Sequence, residues 1–141
     1  MITYHATDWA TATGLADGSN PISVDRPPKK GFAEFGMGFY CQLSLANAKQ
    51  WAIMVHGRAT VLEIGIPDSQ FNALLPLVLD CATANRKRFE IAQSKQGATY
   101  RTEHDVIIAP ISKRPHLWQQ KFQTVKSEIL LNGNSVQRRV I

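Results

Sequence analysis

Glycines and prolines divide this chain into short segments, and that punctuation constrains the fold more than any other feature. The sequence holds 7 Pro and 9 Gly in 141 residues. An interior proline loses a helical hydrogen bond and clashes with the preceding turn. No long helix therefore runs through Pro21, Pro27, Pro28, Pro67, Pro76 or Pro110. Between the breaks the apolar period switches between about 2 and about 3.6 residues without regular βαβ alternation. Ile2–Ala6 alternates and carries β-branched and aromatic residues, so it reads as a strand. Asp8 is placed to cap a helix over Trp9–Asp17 that Gly18 stops, and Ser44 to cap one over Leu45–His56 that Gly57 stops. Within the second, Leu45, Ala48, Ala52 and Val55 recur at helical spacing. Residues 60–66 alternate, with Thr60, Leu62, Ile64 and Ile66 on one face. Residues 39–41 begin a strand, 106–109 form a buried strand ended by Pro110, and 122–126 and 135–141 are two further strands. Residues 70–93 read as helical, split by Pro76, whereas 19–31 and 111–118 read as loops. This mixture predicts a single α+β domain over residues 1–141, with largely antiparallel sheets.

Hydrophobic residues make up 44% of the chain and charged residues 19%, an ordinary globular balance. No window approaches 18 uninterrupted apolar residues, which argues against a membrane-spanning helix. The start Met1-Ile2-Thr3-Tyr4-His5 lacks the basic and apolar regions of a signal peptide. Cys41 and Cys81 are too few for a disulfide scaffold, although sequence leaves their pairing open. The expectation is a cytoplasmic or intracellular protein, with export as an effector left open. A formal charge of +5 favours an acidic ligand or partner.

Familiar catalytic signatures are missing. Gly36-Met37-Gly38 is not Gly-x-Gly-x-x-Gly and no helix opens directly after it, so it is not a dinucleotide loop. His5, His56, His104 and His116 show no metal-ligand spacing, and the cysteines show none either. There is no P-loop and no Gly-x-Ser-x-Gly elbow.

Three separated segments carry more. They are Tyr4-His5-Ala6-Thr7; then Phe35-Gly36-Met37-Gly38-Phe39-Tyr40 followed by Ala46-x-Ala48-x-x-Trp51-Ala52; and finally Lys126-Ser127-Glu128. Their order and spacing resemble the His-Tyr-Glu class of ADP-ribosyltransferases, which includes poly(ADP-ribose) polymerases and diphtheria-toxin-like enzymes. The chain is also similar to small transferase-like domains that share these motifs and an Asp-Val-Ile-Ile-x-Pro-Ile strand, here Asp105 to Ile111. The resemblance spans about residues 3–131. It implies two packed, mainly antiparallel sheets with flanking helices around an NAD cleft.

It also implies roles. Tyr40 and Trp51 would bracket the cationic nicotinamide ring by stacking and cation–π attraction. His5 would hydrogen-bond the adenosine ribose. Glu128 would accept from the 2′-hydroxyl of the nicotinamide ribose and stabilise the positive charge that develops as nicotinamide leaves. His5, Tyr40 and Glu128 are the expected catalytic group. Ala6, Thr7, Gly38 and Ala48 would line the NAD site, and Arg26, Lys29 and Lys30 would neutralise pyrophosphate. Acceptor choice would rest with residues 111–118, Lys113 and Trp118 among them, and with Lys126.

Three positions depart from the family pattern. Ala6 stands where Gly is usual. Ala48 stands where a Ser often binds the carboxamide. Lys126 stands where arginine-modifying members carry a second Glu, which disfavours arginine as acceptor. The resulting expectation is a mono-ADP-ribosyltransferase that uses NAD and no metal, acting on a protein or nucleic acid. The alternatives are an NAD glycohydrolase, in a toxin-like role, and an inactive nucleotide- or nucleic-acid-binding module.

Overall fold

The computed structural model describes residues 1–26, 34–94 and 99–141. They form five helices and seven strands, a mixed α+β architecture. The strands are β1 (Ile2–Ala6), β2 (Phe39–Gln42), β3 (Val61–Gly65), β4 (Pro76–Val78), β5 (Val106–Ile111), β6 (Arg114–Phe122) and β7 (Gln137–Val140). The helices are α1 (Trp9–Asp17), α2 (Leu45–His56), α3 (Asp68–Phe71), α4 (Cys81–Gln93) and α5 (Val125–Asn132). The described strands follow one hydrogen-bonded order, β4-β5-β6-β2-β1-β3-β7, and the expected pair of packed sheets is not found among them.

The chain divides into two compact units. Unit 1 comprises Met1–Ile22, Cys41–Ala73 and Ile129–Ile141; unit 2 comprises Ser23–Tyr40 and Leu74–Glu128. The chain changes unit within β2 and within α5.

Unit 1 is built on antiparallel pairs. In β1 against β3, Ile2 lies opposite Gly65 and Ala6 opposite Val61; in β3 against β7, Leu62 lies opposite Val140. Both long helices begin and end where the capping residues direct. Asp8 accepts from the Thr11 amide at 2.9 Å, and Ser44 accepts from the Asn47 amide at 3.3 Å. Gly18 and Gly57 terminate them with φ of 81° and 74°, a left-handed turn that glycine adopts without steric cost. Alanines at 48 and 52 on α2 are fully buried against Val61, with Tyr4, Ala6 and Leu45 packed around them. Small side chains there let the helix lie close to the strand.

Unit 2 departs from the sequence expectation in three places. The stretch 70–93 is not one split helix. Pro76 opens β4, a position where the missing N–H costs no ladder bond, and α4 starts afresh at Asp80, which accepts from the Thr83 amide at 2.7 Å. Pro110 does not end β5. The strand continues to Ile111, and residues expected as a loop form a hairpin into β6. Its turn places Lys113 at φ 60°. The pairing slips between Pro110, opposite Trp118, and Ile111, opposite Arg114, so Pro110 sits at an irregularity that tolerates it. Finally, 122–126 is not a strand. β6 ends at Phe122 and α5 starts after Thr124, whose hydroxyl accepts from the Ser127 amide at 3.2 Å while the Ser127 hydroxyl accepts from the Thr124 amide at 3.1 Å. This reciprocal cap is what turns the chain from strand to helix.

Candidate functional site

In unit 1, His5, Ala6 and Thr7 occupy the end of β1 and the residue following it, while Ala48 and Trp51 lie on α2. Ala6 packs on the Ala48–Ala52–Val61 cluster, so the strand bearing His5 and the helix bearing Trp51 share one core. His5 lies opposite Leu62 in the ladder, and the Thr7 amide donates to Thr60 O at 3.4 Å. Ala48 is 0% exposed, which explains why a larger polar residue is absent. Its neighbour Asn47 is 7% exposed, and its Nδ2 has no hydrogen-bond partner among the described residues. A buried donor left unpaired costs roughly 1–3 kcal/mol, so this atom suits a ligand acceptor. No motif in the sequence singles out Asn47, whose burial within α2 follows from the packing of the fold.

In unit 2, the Phe-Gly-x-Gly-Phe-Tyr motif is a tight turn pinned from three directions. The Tyr40 hydroxyl donates to Gly36 O at 2.6 Å and accepts from the Phe35 amide at 3.1 Å. Burial pushes this hydroxyl well above its ordinary pKa, so it stays neutral. Gly36 has φ 78°, and a Cβ there would meet Tyr100 O at 2.7 Å. A Cβ on Gly38 would meet Lys121 Cε and Phe122 O, both at 2.7 Å. Both glycines are therefore required by close approach, and Gly36 by its backbone angle as well. Beneath them Lys121, 0% exposed, donates from Nζ to Phe35 O at 2.5 Å and Tyr100 O at 2.9 Å. Burial, aided by the Arg101 charge, pulls its ammonium down to about 7.

A second polar group fastens the same region. Glu34 accepts from Arg88 Nε at 2.8 Å, Gln119 Nε2 at 2.6 Å and the Ser112 amide at 3.1 Å. The Arg88 guanidinium also lies over the Phe35 ring, 4.8 Å from its centroid. Gln119, Gln120, Lys121 and Gln123 are all buried. The sequence reading missed this run because consecutive polar residues show no strand alternation. The signal available was the Gln-Gln-Lys-Phe-Gln stretch itself, whose apolar member lies between buried polar ones.

Glu128 lies in the first half of α5 rather than at a strand end. Its Oε2 accepts from the Val24 amide at 2.8 Å. At the start of this helix Asp105 binds the Thr124 hydroxyl at 2.6 Å and Lys126 Nζ at 3.4 Å, and it also accepts from the Leu75 amide at 2.8 Å. Burial pushes the Asp105 carboxyl up, but those three partners outweigh it and hold it below the ordinary carboxylate value. Lys126 is thus paired within its own unit.

The expected site residues divide by unit. His5, Ala6, Thr7, Ala48 and Trp51 belong to unit 1, whereas Arg26, Gly38, Tyr40, Lys113, Trp118, Lys126 and Glu128 belong to unit 2. Within unit 1, Ala6 and Ala48 come together; within unit 2, Gly38 and Tyr40 share one turn. Arg26 is exposed, and Lys29 and Lys30 lie outside the described residues. Cys41 and Cys81 are free thiols, the first buried and the second exposed. No helix among the described residues is long and apolar enough to cross a membrane. No known family model matches the chain, and no curated protein matches it.

Proposed function

We propose that this protein binds NAD and transfers ADP-ribose to a macromolecular acceptor, releasing nicotinamide. What carries the reading is the packing of Ala6 on Ala48 and Ala52, which puts the His5 strand and the Trp51 helix in one core beside the unpartnered Asn47 Nδ2. That donor offers the hydrogen bond to the nicotinamide carboxamide which a serine at position 48 would otherwise give. Tyr40 contributes its ring face, since its hydroxyl is committed to the turn. His5 holds the adenosine ribose.

In the reaction the bond from the ribose C1′ to the pyridinium nitrogen breaks. Its electron pair leaves with nicotinamide, and the acceptor nucleophile adds to C1′ while losing a proton to solvent. Glu128, whose Oε2 accepts from the Val24 amide, is assigned the 2′-hydroxyl of the nicotinamide ribose. A fixed carboxylate stabilises developing positive charge without reorganising.

The same held carboxylate also favours a second reading, an inactive NAD-binding module in which Glu128 serves α5 and the Val24 segment alone. Glu128→Gln separates the two, because the amide oxygen can still accept from Val24. Nicotinamide release by the wild-type chain, cut about 100-fold or more in Glu128→Gln, is the expected result. Equal release by both removes Glu128 from the mechanism. NAD binding by calorimetry without release from either supports the inactive module. Rapid release with no acceptor present makes the chain a glycohydrolase instead.

A further inference from the structure

The excess positive charge of this chain is not spread evenly. In unit 1, Lys49, Arg58, Arg138 and Arg139 balance Asp8, Asp17, Glu63 and Asp68, so the whole formal excess of +5 falls in unit 2. Several unit 2 cations are neutralised there: Arg88 pairs with Glu34, Arg101 with Asp25, Lys87 with Glu90 and Lys126 with Asp105. Lys113 and Arg114 are different. They sit at the tip of the β5–β6 hairpin, exposed, with His116 exposed beyond them, and no carboxylate among the described residues pairs with any of the three. The pairing slip beside them lets residues 115–117 swing out of the β5–β6 ladder. Irregularities of this kind re-aim side chains next to binding sites. Half-buried Trp118 follows on the same strand.

We propose that this hairpin binds single-stranded nucleic acid, with Lys113, Arg114 and His116 on the phosphates and Trp118 offering its ring to a base. Backbone neutralisation by cations beside an aromatic stacking surface is how such strands are held without sequence preference. The surface does not suit the other polyanions. Protein interfaces need an apolar centre, and interfacial membrane binding needs inserted apolar side chains. None of the large exposed hydrophobic residues lies in residues 111–118; among the described residues of unit 2 they are Leu75, Val78, Phe89 and Val125. The inference concerns this hairpin alone and holds whether or not the chain turns over NAD.

The test is fluorescence anisotropy of a labelled oligo-uridine of about 20 nucleotides with the full chain, titrated at several salt concentrations. Micromolar binding that weakens steeply with salt is expected. The double variant Lys113→Glu/Arg114→Glu should weaken it about 10-fold or more. Lys49→Glu/Arg58→Glu, an equal charge change in unit 1, should alter it less than about 2-fold. Trp118→Phe should bind as the wild type does, because the ring is kept. Equal weakening by both charge pairs overturns the proposal, since net charge alone would then account for binding. So does displacement by polyglutamate at matched charge, or equal affinity for a duplex. Circular dichroism of each variant confirms that loss of binding is not loss of fold.

Discussion

The two units differ in the polar chemistry they keep inside, although each has an apolar core cluster. Unit 1 is electrically balanced and assembled from antiparallel strands and capped helices over an aliphatic core of alanine, leucine and isoleucine with a few valines. Unit 2 carries the charge excess and keeps polar groups inside: Lys121 under the glycine turn, Glu34 gripping Arg88 and Gln119, and Asp105 tying α5 to Leu75. Apolar burial is tolerant of detail, because any side chain of suitable size removes area from water. Buried polar groups are not, because each needs its partner at bonding distance. Unit 2 should therefore respond to single substitutions and to pH more sharply than unit 1.

The glycines give the largest expected contrast. Gly38→Ala forces a methyl group against Phe122 O and the Lys121 stem, and should destabilise by about 3 kcal/mol, the upper range for overpacking. In unit 1, Gly57→Ala meets nothing within 4 Å among the described residues and should cost only the left-handed conformation, about 1 kcal/mol. Denaturant unfolding of both variants measures the difference; equal losses would show the turn to be looser than its geometry indicates.

Next is Glu34→Ala, which strands Arg88, Gln119 and the Ser112 amide. Removing one side of this partly buried polar cluster should cost about 2 kcal/mol. Its counterpart in unit 1 is Arg139→Ala, which breaks an ion pair with Glu63 on an arginine that is 72% exposed. That change should leave the unfolding midpoint within experimental scatter. A comparable loss from both would erase the distinction between buried and surface polar pairs.

The pH response is the most gradual of the three. Lys121 has its folded value lowered from 10.5 to about 7, so between these limits the unfolded chain binds more protons than the folded one. Stability contributed by this group accordingly rises with pH from about 7 towards 10.5, and is flat below about 7. The slope should approach about 1 kcal/mol per pH unit within that window. Lys121→Met should remove this slope, leaving two carbonyls to find water. Urea unfolding at pH 7, 8 and 9 reads the effect, and an unchanged slope in the variant would mean that Lys121 is charged and solvated when folded.

The expected elements that survived are those whose signals are local. Asp8 with Gly18 and Ser44 with Gly57 mark helix ends by satisfying or releasing backbone groups within a few residues, so α1 and α2 were legible to their boundaries. The alternation of 60–66 is likewise a property of adjacent residues, and β3 follows it. β6 was not legible. Gln119, Gln120 and Lys121 belong inside only because Glu34, Phe35 and Tyr100 arrive from distant parts of the chain to meet Gln119 and Lys121. The candidate site shows the same division. The glycine turn was visible as a motif, but not that Tyr40 spends its hydroxyl on that turn, nor that Asn47 would be buried with an unpaired donor.

By itself, then, the order of amino acids determined the class of fold, the capped helices, the antiparallel strands of unit 1 and the sign of the charge. Those depend on periodicity, capping and composition, which act between near neighbours or simply add. Tertiary structure decided which polar side chains lie inside, that Glu128 rides on a helix, and that residues 111–118 project as a hairpin with unpaired cations at its tip. These outcomes turn on partners far apart in the chain, 86 residues for Lys121 and Phe35 and 104 for Glu128 and Val24, and a buried charge or amide is stable only where such a partner has been brought within bonding distance.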